Sequence, residues 1–178
     1  MAFIFNATTG FRKVKMGGVI LEGYIPGAIG RMVELHATYY SEHWGFGLFF
    51  EVKVATEISQ FLCRFDPARD GFWTLCKNDR IEGGIAIDGV KAETIGAHLR
   101  WFILSQEVRG CGFGNRLLGK AVSFCKTNLY KKVYLNTFEG LHPARHLYEK
   151  FGFRLVFQNE GTQWGTRVIE QKFELILQ

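Results

Sequence analysis

An α/β fold around a mixed sheet is what this chain of 178 residues predicts. Three features carry the expectation: short apolar runs between turn residues, two amphipathic segments early in the chain, and two more helices separated by a strand near its end. Composition agrees, because 47% hydrophobic and 22% charged residues leave a sizeable core and exclude a disordered or fibrous chain. At this length one domain spanning residues 1–178 is the default, with about the first 17 residues an extension ahead of the first strand.

Val19 to Tyr24 reads as that first strand. Pro26 suits the opening turn of a helix running to about His43, where its missing N–H costs nothing. After the Gly45 and Gly47 turn, Phe49, Phe50, Val52, Val54, Ile58, Phe61 and Leu62 recur at spacings of three and four, predicting a second helix that ends before Asp66-Pro67. Phe72 to Cys76 and Ile81 to Ile87 flank the turn residues Asn78-Asp79 and form a hairpin. Thr94 to Leu104 is a longer strand, with Leu99, Trp101 and Ile103 expected on one face and His98, Arg100, Phe102 and Leu104 on the other. Apolar bulk on both faces places it centrally. Gly110, Gly112 and Gly114 then open a helix whose inner face is Leu117, Leu118, Ala121, Val122, Cys125 and Leu129. Lys132 to Phe138 is a strand. Pro143 begins the next helix, with Ala144, Leu147, Tyr148 and Phe151 inward and Gly152 stopping it. Strands Phe153 to Gln158 and Arg167 to Ile176 complete the order.

Charge narrows the partners. The chain carries 22 Lys and Arg against 17 Asp and Glu, a formal +5, yet no uninterrupted basic block exceeds two residues. That dispersal suits a small anionic ligand better than a nucleic acid. No stretch approaches the ~20 apolar residues of a membrane span, and no basic segment followed by a long apolar run opens the chain. Cys63, Cys76, Cys111 and Cys125 form no C-x-x-C pair, so they read as reduced thiols of a cytoplasmic protein. Aromatic surface left exposed would make a homodimer reasonable.

The informative stretch runs from Phe102 to Arg116, where a buried strand enters a glycine turn and then a helix. Glycines let the backbone bend sharply and bring successive N–H groups against a phosphate, and the start of the helix adds its positive dipole end. Arg109, Arg116 and Lys120 contribute charge. The dinucleotide pattern G-x-G-x-x-G fails because Asn115 stands where its third glycine belongs. Gly114, Gly119 and Lys120 match G-x-x-x-x-G-K, but Ala121 replaces the hydroxyl that would hold Mg²⁺ and Gly119 lies inside an amphipathic helix. His142 and His146 are four apart without a third ligand, so no metal is expected.

Two motifs at a characteristic separation resemble the GNAT superfamily of acyl-CoA N-acyltransferases. The loop pattern Q/R-x-x-G-x-G/A stands as Arg109-Gly110-Cys111-Gly112-Phe113-Gly114. The helix ending L-Y-E-K-x-G-F stands as Leu147-Tyr148-Glu149-Lys150-Phe151-Gly152-Phe153, with Ala144 three residues ahead. The element order matches that fold from Val19 onward, which implies a mixed, mostly antiparallel sheet flanked by helices. Ala97-His98-Leu99-Arg100, Leu141-His142-Pro143-Ala144-Arg145 and Phe173-Glu174-Leu175 look most like acetyltransferase modules associated with MarR-type regulators. Such fusions carry a winged-helix domain in front, which ~18 residues cannot supply; the expectation is a catalytic module that binds no nucleic acid by itself.

The resemblance implies acetyl-CoA as cosubstrate and a primary amine of a small molecule or peptide as acceptor, acetylated by direct attack in a ternary complex. It assigns the pantetheine arm to the backbone of Phe102, Ile103 and Leu104. The diphosphate falls to Arg109, Gly110, Cys111, Gly112, Phe113, Gly114 and Asn115, and protonation of the departing sulfur to Tyr148. Cys111 is read as a small loop residue rather than a nucleophile. Leu141 departs from the family, which often has Asn there. A base for the amine is sought among Glu34, His36, Glu51, His98 and Glu139, with Glu51 favoured because it interrupts the apolar run from Gly45 to Val54. The competing reading is a noncatalytic acyl-CoA-binding regulatory module on the same fold.

Overall fold

The computed structural model describes residues 19–177, so the expected N-terminal extension lies outside the described residues. Its elements are β1 (Val19–Glu22), α1 (Ala28–Trp44), α2 (Leu48–Cys63), β2 (Gly71–Lys77), β3 (Arg80–Asp88), β4 (Ala97–Leu104), α3 (Phe113–Thr127), β5 (Lys132–Phe138), α4 (His142–Lys150), β6 (Arg154–Gly161) and β7 (Val168–Ile176). This is the predicted succession. The strands form one sheet in the order β1-β2-β3-β4-β5-β7-β6. Every pairing is antiparallel except that of β4 with β5. The central place of β4 follows from its two apolar faces.

Boundaries moved for local reasons. Pro26 lies ahead of α1 rather than in its first turn, because Gly27 takes the left-handed conformation (φ 88°) and caps the helix. β4 starts at Ala97, not Thr94, since residues 89–96 wind through turns in which Lys91 O accepts from the N–H of Ile95 at 2.9 Å. α3 stops at Thr127, leaving Leu129 84% exposed at φ 57° and off the apolar face assigned to it. Asn78 and Asp79, at φ 51° and 59°, supply the two left-handed residues that a two-residue hairpin needs.

Helices cover both sides of the sheet. On one, α3 packs Leu117, Leu118 and Ala121 with Leu135, Phe153 and Phe173. On the other, α1 and α2 place Met32, Val54, Ile58 and Phe61 against Phe72, Ala86 and Trp101. All four cysteines are unpaired.

Two irregularities in β4 shape the site. Gly84 faces Ile103 while Ala86 faces Arg100, so Ile85 alone opposes Trp101 and Phe102, and Trp101 adopts φ 49°. This β-bulge breaks the alternation expected along the strand. Leu99 packs on the α3 side, whereas Trp101 and Ile103 pack on the α1–α2 side, and Phe102 and Leu104 turn toward α3. Second, β4 and β5 are paired only at Ala97–Val133 and His98–Tyr134. Beyond that point they part, and the backbone of β4 keeps a free edge.

Gly83 maintains this register. A Cβ built there would stand 2.5 Å from Ile103 O and 2.6 Å from a Leu104 methyl. Gly83→Ala should therefore cost about 2 kcal/mol or more through overpacking. The check is a lowered urea midpoint; an unchanged midpoint would show that β3 and β4 separate there freely.

Candidate active site

A cleft of about 500 Å³ runs beside the free edge of β4. Phe102, Ile103 and Leu104 form one wall, and α4 from Leu141 to Tyr148 forms another, with Tyr39 and Tyr40 of α1 above. The glycine loop closes its end. A 3₁₀ turn over Gln106–Val108 anchors the loop by burying Val108 completely. Gly110 and Gly112 follow at φ 74° and 81°, with no atom within 4 Å of where a Cβ would project. These are conformations that side chains resist, held open toward the cleft.

Gly112 caps α3 without offering any side-chain acceptor, so the N–H groups of the first turn stay uncapped at the positive end of the helix dipole. Gly114 serves differently: a Cβ there would meet Leu147 at 3.2 Å, so glycine admits α4 close to α3. Arg109 donates from Nε to Leu104 O at 2.9 Å, and its guanidinium lies 4.2 Å from the Tyr39 ring centroid. Lys150 reaches Asn115 Oδ1 at 2.9 Å. The loop thus combines free donors with local positive charge, which is the donor set a diphosphate requires.

A second cavity, about 210 Å³, opens on the α1–α2 side of the sheet. Tyr40, Phe102 and Tyr148 line both spaces, so the two meet at these side chains. Tyr148 is only 6% exposed, with its ring 6.2 Å from Phe102 and Phe173 and 6.1 Å from Phe153. Burial, and then the neighbouring Tyr40 phenol, push its pKa well above that of free tyrosine. The hydroxyl stays protonated and able to donate.

The polar groups of the smaller cavity are largely committed. Glu57 accepts from Lys53 at 2.6 Å and from Arg100 at 2.5 Å. Arg100 also approaches Asp88 at 3.5 Å and lies 4.1 Å over the Trp101 ring. His36 Nδ1 is 2.7 Å from Met32 O, and because a carbonyl only accepts, that nitrogen carries the proton and Nε2 is bare. Burial holds the His36 pKa down to about 4. Burial and then Arg100 hold His98 down to about 3, with its ring stacked 4.3 Å from Tyr134.

Of the residues singled out in the sequence, Phe102, Ile103, Leu104, Arg109, Gly110, Gly112, Gly114, Asn115 and Tyr148 are gathered around the larger cleft. Phe113 turns its ring into the core, and Cys111 points its thiol outward toward Arg109 O. Glu51 is not brought to the site: it is exposed on the first turns of α2 and lines neither cavity. Glu57, on the same helix, is the acidic residue that does. Glu34 pairs with Arg31 at 2.8 Å and Glu139 is exposed, whereas His36 and His98 both line the smaller cavity. His142 and His146 are exposed on α4, and no three metal-ligating side chains cluster among the described residues. Sequence reasoning missed Tyr40 and Glu57, whose only signals were an aromatic pair on α1 and a Lys53–Glu57 spacing of four on α2.

Residues 29–153 match the acetyltransferase (GNAT) family model. No curated protein matches the chain. Solved structures of similar fold include an acetyltransferase from Streptococcus agalactiae 2603, at 19% identity and TM-score 0.70, covering 90% of this chain and 99% of that one. A GNAT family acetyltransferase from Staphylococcus aureus Mu50 has 17% identity and TM-score 0.71, with 91% and 100% covered. A third, yncA from Salmonella typhimurium, was solved with its cofactor acetyl-CoA and has 12% identity and TM-score 0.71, with 92% and 95% covered. These structural likenesses concern the fold alone, and neither they nor the family match carries anything for the narrower likeness to MarR-associated modules.

His36 leaves a thermodynamic signature. Between about pH 6.5 and 4 the unfolded chain binds a proton at this site that the folded chain refuses, so stability falls as pH drops through that window. The slope is about 1.4 kcal/mol per pH unit for a fully buried histidine. Urea unfolding of His36→Gln between pH 7 and 4.5 should show a flatter loss than the parent. Identical slopes would contradict the buried neutral imidazole.

Proposed function

The chain belongs to the GNAT acetyltransferase family, and from that premise we propose that it transfers an acetyl group from acetyl-CoA to a primary amine held in the smaller cavity, by direct attack within a ternary complex. One observation carries the reading: Tyr148, a buried and protonated phenol, lines both cavities where they join. Acetyl-CoA supplies an activated thioester, so that a C–N bond forms as the C–S bond breaks and a proton passes from nitrogen to sulfur.

The chain's own groups divide this work. Uncapped N–H groups at the start of α3, with Arg109 and Lys150 nearby, suit the diphosphate. The free edge of β4 from Phe102 to Leu104 can pair with an amide-bearing arm as an added strand would. Its backbone donors at the bulge are candidates to meet negative charge developing on the carbonyl oxygen. Tyr148 donates to the sulfur, whose thiol has a pKa near ~8.5 and gains from a donor as it leaves. On the acceptor side, Glu57 and Arg100 orient polar atoms between aromatic walls, which fits a small molecule or the end of a peptide. The four unpaired thiols suit a cytoplasmic setting.

Gly112→Val places a β-branched residue at φ 81° beside the uncapped donors. It should weaken acetyl-CoA binding by at least tenfold in calorimetric titration; unchanged affinity would remove the loop from the site. Tyr148→Phe should slow amine-dependent CoA release by about 10²-fold while leaving acetyl-CoA affinity within about twofold. Turnover at the parental rate would refute the donor role. If the parent binds acetyl-CoA and releases CoA with no amine in a broad panel, the noncatalytic acyl-CoA-binding reading takes its place.

A further inference from the structure

Acetyl transfer poses a proton problem that Tyr148 alone does not solve, because the nitrogen must lose a proton while the sulfur gains one. The carboxylate and the imidazoles lining the smaller cavity are already engaged or resist protonation. Glu57 is already bound by Lys53 and Arg100, and His36 and His98 bind protons only near pH 4 and 3.

A second phenol stands at the junction. Tyr40 of α1 lines both cavities, as Tyr148 of α4 does, and the third shared residue, Phe102, has no proton to exchange. The Tyr40 ring is clamped by Phe46 at 5.7 Å, Phe50 at 5.0 Å and Phe138 at 5.8 Å, with His36 stacked at 6.1 Å. A ring held this way keeps its oxygen in place, leaving the O–H bond free to rotate. Neither the Tyr40 nor the Tyr148 hydroxyl is hydrogen-bonded to another described residue. Hydroxyls that line a cavity without protein partners are satisfied by water or by ligand. After burial, the Tyr40 phenol is the second influence that raises the Tyr148 pKa.

We propose that Tyr40 and Tyr148 form a proton relay from the acceptor cavity to the thioester sulfur. Tyr40 Oη accepts the proton shed by the attacking nitrogen while its own proton passes, directly or through one water, to Tyr148 Oη, whose proton goes to the departing sulfur. One N–H and one C–S bond break, one C–N and one S–H bond form, and both phenols end as they began. The relay acts on an amine bound in its neutral form, the extra proton of its ammonium having gone to solvent beforehand, so the attack step itself needs no separate base. The inference rests on the acetyl-transfer reading above.

Tyr40→Phe preserves the ring and its contacts and removes only the oxygen. It should lower kcat for amine-dependent CoA release by about 10²-fold, with acetyl-CoA affinity by calorimetry within about twofold of the parent. Because a relay fails as a unit, Tyr40→Phe with Tyr148→Phe should be no slower than Tyr148→Phe alone. In the free protein, with tyrosines ¹³C-labelled at the oxygen-bearing ring carbon, the Tyr148 resonance should shift on Tyr40→Phe. Parental turnover in Tyr40→Phe, multiplied losses in the double variant, or an unmoved Tyr148 resonance would each overturn the relay. A parent that releases CoA from no amine would instead remove the acetyl-transfer reading, and the labelled resonance would still report whether the phenols are coupled.

Discussion

The structure depends on the parting of β4 and β5 after two residue pairs. Backbone N–H and C=O groups are rarely left unpaired away from water, yet β4 in the middle of a seven-stranded sheet keeps one edge open from Leu99 onward. The opening is supported on both sides of the sheet. Trp101 and Ile103 are locked into the core beneath α1 and α2, while Phe102 and Leu104 pack toward α3 and Tyr148 of α4 fills the space beside them. The bulge at Trp101 makes that division possible, because it sets adjacent side chains on the faces where each has a partner.

The two cavities differ in chemistry for the same reason. The larger one lies along main chain and a helix start, so its donors are backbone N–H groups that need no particular side chains. The smaller one is lined by side chains of α1, α2 and β5, and its polar groups are tied into ion pairs running from Lys53 through Glu57 and Arg100 to Asp88. Asp88 is also held by Arg64, and its carboxyl lies below the ordinary range because those charged partners outweigh its burial. Such a network fixes orientation more than it adds stability. Tyr40 and Tyr148 stand between these two environments, Tyr40 anchored by Phe46, Phe50 of α2 and Phe138 of β5, and Tyr148 by Phe102 of β4, Phe153 and Phe173 of β7.

Much of this was legible in the sequence where local chemistry decides the outcome. The order of elements followed from periodicity and turn residues, and the Asn78-Asp79 hairpin and the glycine loop from conformations that few residues tolerate. The loop that closes the larger cleft was readable for that reason, since it is built from consecutive residues around Gly110, Gly112 and Gly114. The bulge was not, because residues 97–101 alternate and Phe102, Ile103 and Leu104 simply continue apolar, as any strand buried on both faces can, so nothing in them marks the extra residue opposite Ile85. The acceptor side was also hidden: Glu51 drew attention by interrupting an apolar run, but that run includes Leu48, Phe49 and Val52, which the helix leaves exposed. Glu57 and Tyr40 become meaningful only when α1 and α2 are laid across β4, a tertiary fact with no local signature.

The most direct measurement is a crystal structure of the protein with a CoA analogue whose thioester sulfur is replaced by an unreactive methylene. The account expects the diphosphate against the backbone of residues 110–115, the pantetheine amides paired with the edge of β4, and the methylene within about 4 Å of Tyr148 Oη. A diphosphate bound elsewhere, or a methylene separated from that hydroxyl by an intervening side chain, would contradict it.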